Sequence, residues 1–146
     1  MIMDHAALEA LIPHKDAMCL LDGVEFWDGL RIICTSTRHR SAGNPLRTRA
    51  GLSSLHGIEF AAQAMAAHSG LTAAGRGPPH VGFLLSVRDC VFHCRRLDDI
   101  AATLTIEAEQ TGNNEETRLY RFKVSAQDVL LVEGRAAVML RGDAPA

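Results

Sequence analysis

Ser53-Ser54-Leu55-His56-Gly57-Ile58-Glu59-Phe60-Ala61-Ala62-Gln63-Ala64-Met65-Ala66-Ala67-His68-Ser69-Gly70 decides the fold of this 146-residue chain. A serine can cap the stretch and Gly70 can stop it, so the residues between predict a helix over 53–69. Leu55, Ile58, Phe60, Met65 and a set of alanines fill it, with no lysine or arginine and a single carboxylate. A helix at a protein surface carries a charged face. This one has none, and the sequence therefore predicts a helix enclosed on nearly all sides.

The flanking sequence says what encloses it. After the turn-rich Gly75-Arg76-Gly77-Pro78-Pro79 the pattern becomes alternating or continuously apolar, predicting strands at 81–95, 100–110, 117–126 and 129–140. Asp98-Asp99, Gly112-Asn113-Asn114 and Gln127-Asp128 separate them. Before the helix, 39–51 is rich in arginine, glycine, asparagine and proline and reads as a loop. Strands at 18–27 and 30–38 precede it, joined by the hairpin signal Asp28-Gly29. A short helix over 4–12, capped by Asp4 and ended by Pro13, opens the chain. With no repeat or linker, the reading is one domain over 1–146. Its class is α+β, a mostly antiparallel sheet wrapped around one apolar helix.

Composition agrees. The chain is 47% hydrophobic and 22% charged, which excludes a disordered tail, a collagen-like fibre and a small disulfide scaffold. No run reaches the roughly 18–20 apolar residues of a membrane span. The opening Met1-Ile2-Met3-Asp4-His5 lacks the basic-then-apolar pattern of a secretory signal. The expected compartment is the cytoplasm, with Cys19, Cys34, Cys90 and Cys94 as reduced, buried thiols. The net charge of −2 hides an uneven layout: nine arginines and two acids lie between Arg31 and Arg96, six acids and no base between Asp98 and Glu116. The arginines are either solvated surface or a positive rim for an anionic ligand. Nucleic acid is not the expected partner, because aromatics are 5% of the chain and do not interleave with the arginines.

Candidate chemistry sits where the apolar helix breaks its own pattern. At roughly 100° per residue, Glu59 and Gln63 lie about 60° and 20° from His56, one narrow acid–imidazole–amide stripe. Inside an enclosed helix such groups must pair or face a cavity. They form either a structural network or a catalytic one. Burial favours the protonated form of a carboxyl, suiting Glu59 as general acid, and His56 one turn away suits a base. Free N–H groups at the helix start, around Ser54 and Gly57, would stabilise a developing thioester oxyanion. Other motifs are weaker. Cys90-x-x-x-Cys94 with His93 is not a zinc spacing. Ser53 and Ser54 lack the nucleophile-elbow pattern, and Gly75-Arg76-Gly77 lacks the rest of a phosphate loop. His5, His39, His68 and His80 have no patterned partner.

Element order and motifs together resemble a family. The chain is similar to hotdog-fold proteins of the 3-hydroxyacyl-[acyl-carrier-protein] dehydratase superfamily over nearly its whole length. Pro13-His14-Lys15-Asp16-Ala17-Met18-Cys19-Leu20-Leu21-Asp22 resembles their opening Pro-His-Arg-Tyr-Pro-Phe-Leu-Leu-Val-Asp. Glu59-Phe60-Ala61-Ala62-Gln63 resembles their helix segment Glu-Ala-Met-Ala-Gln, and Phe83-Leu84-Leu85-Ser86-Val87 through Asp99-Ile100 their next long strand and turn. The resemblance implies that Glu59 is the carboxylate that handles the leaving hydroxyl. The family's His-Phe-Pro loop is absent, for the region reads Gly43-Asn44-Pro45-Leu46. Gly57-Ile58-Glu59 with Gly82-Phe83-Leu84-Leu85 is closer to the small dehydratase-like subunits found with aryl-polyene and related pathways. His56 as replacement base is read from helical geometry, with His39 and His14 next in line.

The expected function is dehydration of a 3-hydroxyacyl thioester to a trans-2-enoyl thioester. A hotdog thioesterase and a non-catalytic carrier-binding subunit paired with an active paralogue are the alternatives. Glu59 and His56 are the catalytic candidates, and Gln63, Gly57 and Ser54 the substrate-binding ones. The expected substrate rides on an acyl carrier protein or coenzyme A, with Arg47, Arg49, Arg95 and Arg96 as the docking rim. The expected assembly is a homodimer or a heterodimer with a paralogous hotdog subunit. No metal or other cofactor is implied, since acid, base and oxyanion donors suffice.

Overall fold

The computed structural model describes residues 1–12, 16–73, 81–114 and 116–141. Strand β1 (Met3–Asp4) leads into α1 (His5–Glu9), where the Asp4 side chain accepts from the Ala7 N–H as the expected cap. Strands β2 (Gly23–Trp27) and β3 (Arg31–Ser36) form a hairpin. Asp28 closes its turn by accepting from the N–H groups of Leu30 and Arg31. Helix α2 (Gly57–Ala73) follows a 3-10 turn at Ser54–His56. Then come β4 (Val81–Phe92), β5 (Leu104–Asn113), β6 (Thr117–Ala126) and β7 (Val129–Arg141). Pro13, His14, the Gly75–Pro79 turn and His80 lie outside the described residues.

All pairings are antiparallel, and the strand order is β1-β2-β3-β5-β6-β7-β4. This is the expected α+β hotdog architecture: a curved sheet around one long helix. Its concave face meets α2 through Leu104, Ile106, Phe122, Val124 and Val132, which share one core with Phe60 and Met65. The turns at Asp28-Gly29, Asp98-Asp99 and Gln127-Asp128 formed where the sequence placed them. Gly112 and Asn113 instead lie within β5, and the helix runs past Gly70 to Ala73. Gln127 and Asp128 both adopt positive φ, the hairpin geometry whose twist matches the flanking strands.

Two strands begin several residues later than expected, for local reasons. The stretch expected as a strand over 18–27 begins pairing regularly only at Gly23, because the Leu20 N–H is taken by the side chain of Gln63 at 2.7 Å. The strand expected from 100 begins at Leu104, since the preceding turn is tied to the loop before the helix by Leu97 N–H donating to Leu52 C=O. Cys19 and Cys34 are buried as expected, and burial pushes the Cys34 thiol up to about 12. Cys90 and Cys94 are only half-buried, because β4 ends the sheet.

The enclosure of the helix is uneven. From Phe60 to Ser69 nearly every residue is buried. Its first turn is open: Leu55 is 60% exposed, beside the half-exposed pair described below. Next to it runs β4, an edge strand with two bulges and with Leu84, Leu85, Val87 and Val91 bare to solvent. No helix among the described residues is long and apolar enough to cross a membrane.

Candidate active site

Helical spacing brings His56 and Glu59 together. The His56 Nδ1 lies 2.9 Å from Glu59 Oε2, with the two side chains 28% and 48% exposed. An ionised carboxylate only accepts, so Nδ1 carries the hydrogen; in the neutral ring Nε2 then keeps a lone pair. This corrects one expectation: Glu59 is not desolvated within this chain, because the sheet stops at β4 before covering the first helical turn.

The third member of the stripe is separate. Gln63 is 2% exposed, its Oε1 accepts from Leu20 N–H and its Nε2 donates to Met18 C=O at 2.6 Å. It clamps the chain segment over 18–20 onto the helix, and both ends of its amide are occupied. Ser36 Oγ donates to the Leu20 carbonyl in the same segment. Asp22 accepts from the N–H and hydroxyl of Thr37 and from Arg38 Nε. The described end of the opening motif, over 18–22, thus acts as a strap across the helix.

The helix start also differs from expectation. Ser54 N–H donates to Arg95 C=O, Leu55 N–H to Ser53 Oγ, His56 N–H to Ser53 C=O, and Gly57 N–H to carbonyls of the same turn. The 3-10 turn closes these bonds one residue earlier than an α-helix would. The N–H groups expected to be free are therefore taken. Gly57 has a packing role: a Cβ there would lie 3.0 Å from Val132 Cγ2, so a larger residue would have to push the Val132 side chain aside.

The four expected docking arginines divide. Arg96 pairs side-on with Asp98, and Arg47 approaches the same carboxylate at 3.7 Å. The Asp98 side chain is 2% exposed and also accepts from Leu52 N–H. The Arg96 guanidinium first, and that N–H second, hold its carboxyl well below the usual range. Gly51, at φ +98, leaves room for this carboxylate where a Cβ would clash at 2.5 Å. Arg49 and Arg95 are exposed, and among the described residues neither is in an ion pair. Arg95 and Arg96 line a hollow of about 510 Å³ with Thr48, Gly51, Ser53 and Asp99, directly before the helix.

The remaining histidines are placed elsewhere. His39 is buried with Nε2 on the Ile100 carbonyl, which removes it from any open surface. His93 pairs with Glu133 rather than with Cys90 or Cys94. His68, given no partner by the sequence, is fully buried: its Nε2 meets the Asp28 carbonyl and its Nδ1 the Tyr120 hydroxyl. Ser69 Oγ touches the same hydroxyl. Partners forty and more residues away leave no local pattern to read.

A family model described as ApeP dehydratase, ApeP-like, matches residues 6–145. The chain belongs to the ApeP-like dehydratase family. No curated protein matches it. Among solved structures, it is similar to the dehydratase heterocomplex ApeI:P of Xenorhabdus doucetiae, with 23% identity, 92% of this chain and 90% of that chain covered, and a TM-score of 0.82. A thioesterase of Haemophilus influenzae aligns over 97% of this chain and 95% of its own at 10% identity and a TM-score of 0.66. A hypothetical thioesterase of Streptococcus pneumoniae, solved with coenzyme A, aligns over 84% and 87% at 13% identity and 0.60. These likenesses establish the hotdog fold, and the family match makes this ApeP-like chain a dehydratase-type member of it.

Proposed function

We propose that this ApeP-like chain dehydrates a 3-hydroxyacyl thioester to the trans-2-enoyl thioester, working in the cytoplasm beside a paralogous hotdog subunit. The observation that carries the reading is the hydrogen-bonded His56–Glu59 pair on the open turn of an otherwise sealed helix. His56 Nε2 removes the proton from C2, and the Nδ1 hydrogen passes to Glu59. The C2–H electrons become the C2=C3 bond, the C3–O bond breaks, and Glu59 protonates the departing hydroxyl as water. Atoms and charge balance with no co-reactant, and solvent exchange restores the imidazole tautomer.

The partner supplies what this chain lacks. Pairing along the bare apolar edge of β4 extends the sheet and covers Leu84, Leu85 and Val87. The same subunit walls in Glu59 and contributes the oxyanion donors, since the N–H groups of residues 54–57 are taken. Substrate arrives on an acyl carrier protein or coenzyme A. The hollow beside Arg95 and Arg96 holds the phosphate of the pantetheine arm, with Arg49 at the rim; Arg47 supports the rim through Asp98. Gln63 acts on substrate only through the segment it clamps.

The occupied helix-start N–H groups favour one second reading, a carrier-binding subunit whose paralogue performs the chemistry. Purified chain, alone and with its paralogous subunit, is given a 3-hydroxyacyl thioester while enoyl absorbance and free thiol are followed. Enoyl product that depends on Glu59 supports dehydration here. Thiol release identifies a thioesterase. Enoyl product that survives loss of Glu59 assigns the chemistry to the paralogue.

A further inference from the structure

The convex face of the sheet, opposite the helix, carries an arrangement that the chemistry at Glu59 does not use. Arg88 on β4 is in register with Arg135 on β7, and Arg135 with Arg121 on β6. All three are exposed. Like charges directly opposite on adjacent strands destabilise a sheet, and here two such juxtapositions are consecutive.

Two nearby carboxylates are held elsewhere. Glu133 is held by His93 at 2.9 Å, and Glu107 by Arg31 at 3.5 Å and Lys123 at 3.9 Å. Glu109 stands in register beside Arg121 and closes the row. Among the described residues none of the three arginines is in an ion pair. A depression of about 150 Å³ on one side of Arg135 is lined by Arg88 and the exposed Leu119. Another of about 330 Å³ on the other side is lined by Arg121, Lys123, Asp89 and Glu133.

We infer that this row is a docking surface for an acidic helix of another protein. At about 4.8 Å between strands the row spans about 10 Å. A helix rises about 10.5 Å from i to i+7, so carboxylates at i, i+4 and i+7 face the three guanidinium groups in turn. Leu119 and Ala137 beside the row receive the helix's apolar flank. Glu109, Asp89 and Glu133 border the strip, so a continuous phosphate backbone meets carboxylates on either side. A discrete set of three acids does not.

The test is an NMR titration of the full chain, which registers even millimolar binding. Two stapled helical peptides of identical composition are compared, one with glutamates at i, i+4 and i+7, the other with the same glutamates scattered round the helix. The expected result is saturable shifts at the amides of Arg88, Arg121 and Arg135. The aligned peptide should bind about tenfold tighter, the sum of three modest surface pairs. Arg135→Glu removes that preference, and Arg121→Gln weakens it if the first variant folds poorly. Equal binding of both peptides, or no binding, overturns the proposal. So does displacement by millimolar inorganic phosphate, which marks a small-anion site. The same shifts appearing on concentrating the chain without peptide identify a second copy as the occupant, and overturn it too.

Discussion

His56 and His68 stand on one helical segment, twelve residues and about 18 Å of rise apart, in opposite surroundings. His68 is sealed between α2 and the sheet, with Tyr120 on one ring nitrogen and a backbone carbonyl on the other. A carbonyl only accepts, so Nε2 carries the hydrogen and the Tyr120 hydroxyl donates to Nδ1: the ring is neutral, with both nitrogens occupied. His56 has one nitrogen on Glu59, its side chain is partly exposed, and among the described residues the other nitrogen has no hydrogen-bond partner. The same side chain is a rivet where the sheet covers the helix and the proposed base where it stops. The difference lies in what surrounds each imidazole.

The largest effect expected from this comparison is on turnover. Glu59→Gln keeps the size of the side chain and removes the ionisable group, and it should lower enoyl formation by roughly 10²–10⁴-fold, as should His56→Ala. Both residues are half-exposed, so thermal unfolding should stay within a degree or two of the parent. Unchanged turnover in either variant, measured with the paralogous subunit present, breaks the assignment of the open end as the reactive one.

The sealed end should behave in reverse. Tyr120→Phe removes the hydroxyl and leaves His68 Nδ1 buried without a donor, which costs about 1–3 kcal/mol of stability. Turnover per folded molecule should hold. A urea titration beside an activity assay separates the two, and an activity loss without a stability loss would make His68 part of the chemistry.

The sequence showed the sealed end more clearly than it showed the open one. Uncharged residues from Phe60 to Ser69 announce burial whatever lies opposite, and Asp28, Asn114 and Asp4 form turns and caps with neighbours a few residues away. Spacing alone also paired His56 with Glu59. What spacing could not reveal was where the sheet ends. Strand β4 pairs with β7 rather than with its sequence neighbour β5, so this run of apolar residues forms the bare edge. Helical spacing puts Gln63 in the stripe, while the partners that hold it, Met18 and Leu20, are more than forty residues away and leave no local signal. The serine cap was legible, but not the 3-10 turn that occupies the N–H groups behind it.

The smallest effect is also the sharpest discriminator, because it reads the sealed histidine directly. Burial holds the His68 pKa below its ordinary 6.5, opposed by the bond to the Asp28 carbonyl; Arg118 lowers it further and the Asp28 carboxylate raises it. The folded state therefore prefers neutral His68 more than the unfolded chain does. That preference stabilises the protein fully above the unfolded value and is lost as pH falls below about 6.5 toward the lower folded value. The slope is at most about 1.4 kcal/mol per pH unit for one group. His39, likewise lowered by burial, adds a second contribution of the same sign, with Ile100 C=O opposing and Arg40 assisting. Asp28 and Asp98, whose carboxyls are held low, lose their contributions only at more acid pH. Unfolding free energy should thus be lower at pH 5.5 than at pH 7.5, and the gap should shrink by up to about 1 kcal/mol in His68→Asn while the His39 part persists. A gap of the same size in His68→Asn would mean that folding leaves the His68 pKa unshifted, and the contrast between the two histidines would fail.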